Sequence, residues 1–173
     1  MTALTEDDVL ERLASPENLN DFLLNANEIL FQGIKSLLPY LFINNDEDIQ
    51  EYAVKPLLAK SGPLDSLDVS LRLIYALGQI TKAVYADILL FSQLSEHLQK
   101  TGDITEFHDD IVYEFMGNLN AVTQNKTLFQ MIEKMKFSDF TIFNQTRYGN
   151  MVKTGLTLAV TSLLQELTYE SGT

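Results

Sequence analysis

The apolar residues of this 173-residue chain recur at steps of three and four almost from end to end, and no long stretch alternates with the period of two that a half-buried strand requires. In Leu19, Phe22, Leu23, Ala26, Leu30, Ile34, Leu37 and Leu41 this spacing gathers the apolar side chains into one stripe along a helix. The pattern predicts an all-α fold: a single-domain multi-helix bundle over residues 1–173, with long N-terminal and C-terminal helices and no typical DNA-binding domain. A chain of this length buries a sizeable core without needing disulfides or metals.

Local punctuation divides the pattern. Ser15-Pro16-Glu17 reads as a cap, a proline at the first helical position and an early acid, opening the first long helix. Pro39 lacks an amide donor, so that helix should kink or stop near Leu38. Asn45 or Asp46 can cap a shorter helix carrying Ile49, Tyr52 and Ala53, which Pro56 should end or bend, and 59–63 reads as a loop. A helix from about Asp68 should turn Leu73, Ile74 and Leu77 inward and close at Gly78. Thr81 can cap the next, which buries Val84, Ile88, Phe91, Leu94 and Leu98. Ile111, Phe115, Leu119 and Val122 form a further stripe after Asp109 and Asp110, acids well placed at the positive end of a helix dipole. The stretch from Asn125 to Asp139 allows helix or an exposed connection carrying Lys126, Lys134 and Lys136. Tyr148, Val152, Leu156, Ala159, Leu163 and Leu167 mark a long final helix.

Composition removes whole classes of function. The absence of cysteine excludes a disulfide framework, a thiolate metal site and a cysteine nucleophile, which fits the reducing cytoplasm. Met1 to Asp8 shows no basic or apolar leader region, so export is not expected. No run approaches the roughly 20 apolar residues that cross a bilayer. Twelve Lys and Arg against 24 Asp and Glu give a formal charge of −12, which repels phosphate backbones. The eight glycines form no dinucleotide or P-loop spacing, His97 and His108 lie on different segments, and no nucleophile elbow appears. Asp109, Asp110 and Glu114 are better explained by a helix N-terminus than by a metal. Nothing here argues for an enzyme, a cofactor or a metal.

Leu71 to Leu94 has the outline of a helix-turn-helix around Gly78-Gln79-Ile80. The first turn of its second helix offers Lys82, Ala83, Val84, Tyr85, Ala86 and Asp87, with one cation where a recognition helix needs several phosphate-binding and base-reading groups. An antiparallel helix pair explains the same spacing, and direct DNA binding is disfavoured.

The segment Tyr52-Ala53-Val54-Lys55-Pro56-Leu57-Leu58, then Gly62-Pro63-Leu64, then Leu71-Arg72-Leu73-Ile74-Tyr75-Ala76-Leu77-Gly78, closely resembles the mannitol operon repressor family. Tyr85-Ala86-Asp87, Phe107-His108-Asp109-Asp110-Ile111 and Arg147-Tyr148 are similar to its later blocks, whereas Asn118 to Asp139 departs from the pattern. The resemblance implies an all-helical bacterial regulator that represses sugar-uptake genes.

Much of the shared block is explicable as scaffold. Pro56, Gly62, Pro63 and Gly78 fix turns, with Leu57, Leu64, Leu73, Ile74 and Leu77 beneath them. Arg72 can face Asp68, Asp87 or a partner. Arg72, Tyr75, Tyr85, Asp87, Asp109 and Asp110 are the candidate partner-binding or family-motif residues. With an acidic surface, repression is expected to be indirect, through contact with a DNA-binding regulator or a sugar phosphotransferase component. Homodimerisation through the first or last long helix would fit their wide stripes. Direct DNA binding, by Leu71 to Leu94 or by the Lys126, Lys134 and Lys136 cluster, and a small-molecule sensor with a pocket between helices are the alternatives.

Overall fold

The computed structural model describes residues 4–138 and 142–168; of residues 142 and 143 it describes the backbone only. Met1, at the head of the segment read for a leader, and Asp139, which ends the stretch left open, lie outside the described residues. All regular elements among the described residues are helical. They are α1 (Glu6–Ala14), α2 (Leu19–Leu37) with a 3-10 turn Leu38–Leu41, α3 (Glu47–Ile49), a π-helical turn Gln50–Val54, α4 (Lys55–Leu58), α5 (Leu67–Ala76), α6 (Lys82–Thr101), α7 (Asp110–Asn118), α8 (Asn120–Thr123), α9 (Lys126–Lys136) and α10 (Ile142–Glu166).

Helix α2 is the centre of the bundle. Its Leu19, Phe22, Leu23, Ala26, Ile29, Leu30 and Ile34 are fully buried, each worth roughly 1.5–3 kcal/mol for the large side chains. It packs on α6 most extensively, and also on α1, α5 and α10. Where α2 meets α10, a Cβ on Gly33 would fall 2.7 Å from Leu164 Cδ1, so the small residue sets how closely the two long helices approach. The predicted α10 stripe is buried at Tyr148, Val152, Leu156, Ala159, Leu163 and Leu167. The core thus consumes both long apolar stripes and leaves Leu24 on α2 and Leu158 on α10 half-exposed.

Several expected boundaries hold. The first long helix stops at Leu37, with Pro39 in the 3-10 turn that follows. Thr81 caps α6 by accepting from the Val84 amide, and Gly78 sits at φ 72, where the amides of Gly78 and Gln79 close α5 on the carbonyls of Tyr75 and Ile74. Gly62 is required by crowding, since a Cβ there would lie 2.5 Å from the Pro56 carbonyl oxygen.

Other boundaries are corrected. Asn18, not Ser15, caps α2: its side chain accepts from the Asp21 amide. Ser15 instead closes α1, a helix the periodicity did not announce, which begins with Thr5 and Asp8 exchanging hydrogen bonds in a capping box. Pro56 neither ends nor breaks its helix, because it occupies the first turn of α4, where a missing amide costs nothing. The turn that precedes it, Gln50–Val54, is π-helical. Leu77 is exposed rather than inward, displaced by the turn at Gly78, and Leu71 takes the buried position. Leu119 has extended backbone and separates α7 from α8, so the stripe from Ile111 to Val122 spans two helices. The open stretch after Asn125 is helix α9, capped by the Asn125 side chain.

Candidate functional site at the α7, α9 and α10 corner

The residues singled out from the sequence separate into two groups. On α5 and α6, Arg72 pairs with Asp68 one turn away at 3.0 Å, both well exposed, and Tyr75 stacks on Tyr85 with ring centroids 4.5 Å apart. Asp87 points the other way. It is 1% exposed, and its carboxylate accepts from the Asn120 amide at 2.8 Å, the Asn120 side chain at 3.0 Å and the Ala121 amide at 2.8 Å. A carboxylate from α6 thus caps the N-terminus of α8, where Leu119 supplies no capping side chain. Arg72 is paired with Asp68, and Asp87 is fully committed to α8.

The second group converges. The Asp109 side chain turns back to accept from the Glu106 amide at 2.9 Å, closing the turn that feeds α7. Asp110, at the first position of α7, pairs with Lys136 at the end of α9. The two ends of this pair differ sharply: the Asp110 side chain is 91% exposed and that of Lys136 only 16%. Cover over the ammonium comes from Tyr113 and Tyr148, whose ring centroids lie 5.5 and 5.6 Å from Nζ. Tyr113 donates to Glu133 at 3.1 Å, stacks on Phe129 and meets Phe137 edge-on. Across the undescribed residues, the Asn144 side chain donates to Ser138 Oγ at 2.7 Å and so joins the end of α9 to the start of α10.

Titration follows from this layout. The Lys136 ammonium holds the Asp110 carboxyl below its ordinary value. Burial raises the Tyr113 hydroxyl, helped by its bond to Glu133. Tyr148 is 4% exposed, its hydroxyl has no hydrogen-bond partner among the described residues, and it is pushed up to about 12 by burial first and then by Tyr113 and Asp110. Such a group is a reserve of unmet polarity beside a covered cation.

The corner and the segment of chain that leads into α7 both carry exposed apolar and acidic side chains. Phe137 is 69% exposed, and Ile104, six residues before α7, is 71% exposed. Ile104 is nonetheless held in place: Asn20 donates to the Asp103 carbonyl and accepts from the Thr105 amide, while the Leu19 amide donates to the Thr105 carbonyl. Asp103, Glu106 and Asp110 are exposed beside it in the chain.

Sequence reasoning pointed to Asp109 and Asp110 but missed Tyr113 and Glu133, placed Lys136 in an exposed lysine cluster, and read Tyr148 as core and as part of a family block. The spacing of Asp110 and Tyr113, three apart on one helix, was the available signal. Lys126, Lys134 and Lys136 share no common face, because Lys136 is drawn into the corner while the other two are exposed. His97 is exposed, and His108 lies 3.9 Å from Asp109. No cluster of three metal-ligating side chains occurs among the described residues, and none of the described helices is long and apolar enough to cross a membrane.

Comparison with known proteins places this architecture. Residues 5–168 match the model of a family described as mannitol repressor. The chain is 54% identical to a protein of Shigella flexneri named Fumarase E, over 97% of this chain and 99% of that protein. It is 34% identical to the mannitol operon repressor of Escherichia coli strain K12, over 98% of this chain and 85% of the relative. Among solved structures it superimposes on a possible transcriptional regulator from Shigella flexneri with TM-score 0.86 and 53% identity, covering 96% of this chain and 100% of the other. The MtlR–HPr complex of Escherichia coli gives TM-score 0.78 at 30% identity, covering 95% of this chain and 98% of that one. With near-complete coverage by the family model and an identity above three in ten to a named repressor, the chain belongs to the mannitol repressor family.

Proposed function

We propose that this chain is a cytoplasmic regulator that acts by protein contact, receiving a carrier protein of the sugar phosphotransferase system at the α7, α9 and α10 corner. The observation that carries the reading is the fold shared with the protein solved as an MtlR–HPr complex. The corner has the chemistry of a docking surface, since the exposed Phe137 ring stands against Tyr113 there, and the segment leading into α7 carries the exposed Ile104 together with the carboxylates of Glu106 and Asp110. A basic face with an apolar centre is its complement, and a net charge of −12 speeds the encounter with such a face while opposing DNA. Repression then proceeds through the partner.

Titration calorimetry of the purified chain with Escherichia coli HPr tests this. Binding that is lost in Ile104→Asp and Phe137→Ser, both exposed positions that leave the core intact, is the expected result. No heat with HPr at concentrations on the order of 100 μM would remove the reading, since that corresponds to about −5.5 kcal/mol.

The 54%-identical relative named Fumarase E favours a second reading, in which the chain adds water across the double bond of fumarate. A hydratase must hold two carboxylates and deliver a proton and a hydroxyl to adjacent carbons. At the corner, Lys136 offers a cation and Tyr148 a buried hydroxyl, but a dianion arriving there must displace Asp110 from Lys136 and meet the repulsion of Glu133. The ultraviolet absorbance of fumarate reports turnover directly. Turnover that disappears in Lys136→Met while HPr binding persists assigns the corner to catalysis, and an inactive wild-type preparation that binds HPr retires the enzyme.

A further inference from the structure

Residues 47–58 form one continuous helical run, α3, the π-helical turn and α4, an arm that is anchored to the core through Val54, Leu57 and Leu58 and carries an outward face. The Gln50 side chain straps the preceding loop onto that turn by donating to the Asn44 carbonyl at 2.7 Å and the Phe42 carbonyl at 3.5 Å. Ile43, between those two carbonyls, is therefore presented rather than tucked away. Ile43 at 83% and Tyr52 at 78% are the most exposed large hydrophobic side chains among the described residues, and Ile49 is exposed as well. Beside Tyr52 opens a cleft of about 390 Å³, lined among others by Glu47, Asp48, Glu51 and Lys55. The single cation, Lys55, is held by Glu51 one turn away.

The outward side chains of this face, Ile43 and Tyr52, add nothing to the core. An isoleucine and a tyrosine left in water bury no core, and a π-helical turn gives up regular α hydrogen bonding, a cost most often met at functional places in helices. Charge decides what kind of group fits. With Asp46, Glu47, Asp48 and Glu51 against one already paired lysine, the arm repels phosphate. It repels its own copy equally, since a two-fold contact would set the same acids face to face.

We propose that this arm is a second docking surface, taking a cationic segment of another protein in which lysine or arginine alternates with an aliphatic residue. The aliphatic groups cover Ile43 and Tyr52, and the cations enter the cleft toward Glu47, Asp48 and Glu51, with the Tyr52 ring available for a cation–π contact. The arm is distinct from the α7 corner, so a chain using both would bridge two proteins.

The test is an amide chemical-shift titration of the full chain with a short synthetic peptide alternating arginine and leucine, and with the same peptide carrying glutamate for arginine. Shifts concentrated in residues 42–58 with the cationic peptide alone are expected, together with a roughly tenfold weakening in Tyr52→Ala, which leaves every charge in place. Ile43→Ser should act in the same direction, and because both side chains are exposed, unchanged melting temperatures confirm intact folds. Shifts scattered over all acidic faces and indifferent to Tyr52→Ala would reduce the binding to general acidity and overturn the proposal. So would the absence of binding, or concentration-dependent self-association abolished by Tyr52→Ala.

Discussion

Asp87 and Asp110 are both aspartates near the start of a helix, yet the fold treats them in opposite ways. Asp87 is buried, and three donors around α8 complete its carboxylate. Asp110 stands in solvent with the largely covered Lys136 as its partner, next to the Tyr148 hydroxyl that has none among the described residues. A polar group whose every bond is met inside the protein has nothing left to offer a ligand, so its work is structural. A charge left open to water beside unmet polarity can be rearranged at small cost, which is what a binding or reacting surface needs. Both residues fall in blocks similar to the family, and only their surroundings separate scaffold from site.

Asp87→Ala is the largest test of that contrast. It orphans two backbone amides and a side-chain donor at the start of α8, and a loss of about 3 kcal/mol or more in urea denaturation is expected. Asp87→Asn, which keeps one acceptor oxygen, should lose less. A cost below about 1 kcal/mol for the alanine would show that α8 finds other partners and would erase the distinction drawn here.

Tyr148→Phe tests the other side. Removing an unpartnered buried hydroxyl should raise stability by about 1 kcal/mol at neutral pH. The sign in alkali follows from linkage. The folded chain keeps this proton up to about 12, while the unfolded tyrosine releases it near its ordinary 10.0. The contribution is therefore complete below pH 10 and is lost as pH climbs toward 12, by roughly 2–3 kcal/mol at about 1.4 kcal/mol per unit. The phenylalanine variant should show a shallower decline, with a remainder from Tyr113, whose hydroxyl is also raised. Equal slopes would mean that the Tyr148 hydroxyl titrates in the folded chain as it does in the unfolded one.

The helical class, the stop near Leu38, the caps at Thr81 and Gly78 and the whole α10 stripe were legible because each follows from local rules: apolar spacing, a missing amide, a short polar cap. Helix α1 was missed because its capping box uses Asp8 where glutamate or glutamine is the familiar signal. The inward face of Asp87 and the position of Lys136 were illegible for a different reason. Asp87 meets its donors 33 and 34 residues away and Lys136 meets Asp110 across 26, so no window of sequence contains both halves of either contact.

Lys136→Met sharpens the comparison at lower amplitude. An ion pair with one end in water adds little stability, so the midpoint of unfolding should scarcely move, while HPr affinity or fumarate turnover changes according to which reading of the corner holds. A large drop in stability would place Lys136 with Asp87 among the structural groups.

Arg72→Ala should have the smallest effect. Arg72 lies in the block most similar to the family and invites a functional role, but its guanidinium meets Asp68 at 3.0 Å on an exposed face of α5, an i,i+4 pair worth about 0.5 kcal/mol or less. Stability within about 0.5 kcal/mol of wild type, and unchanged affinity for HPr, are the expected outcomes. Loss of HPr binding with the fold intact would move the docking surface from the α7 corner to the α5 face. Tyr75 and Tyr85, stacked beside it, would then have to be counted as binding groups rather than as a local aromatic brace.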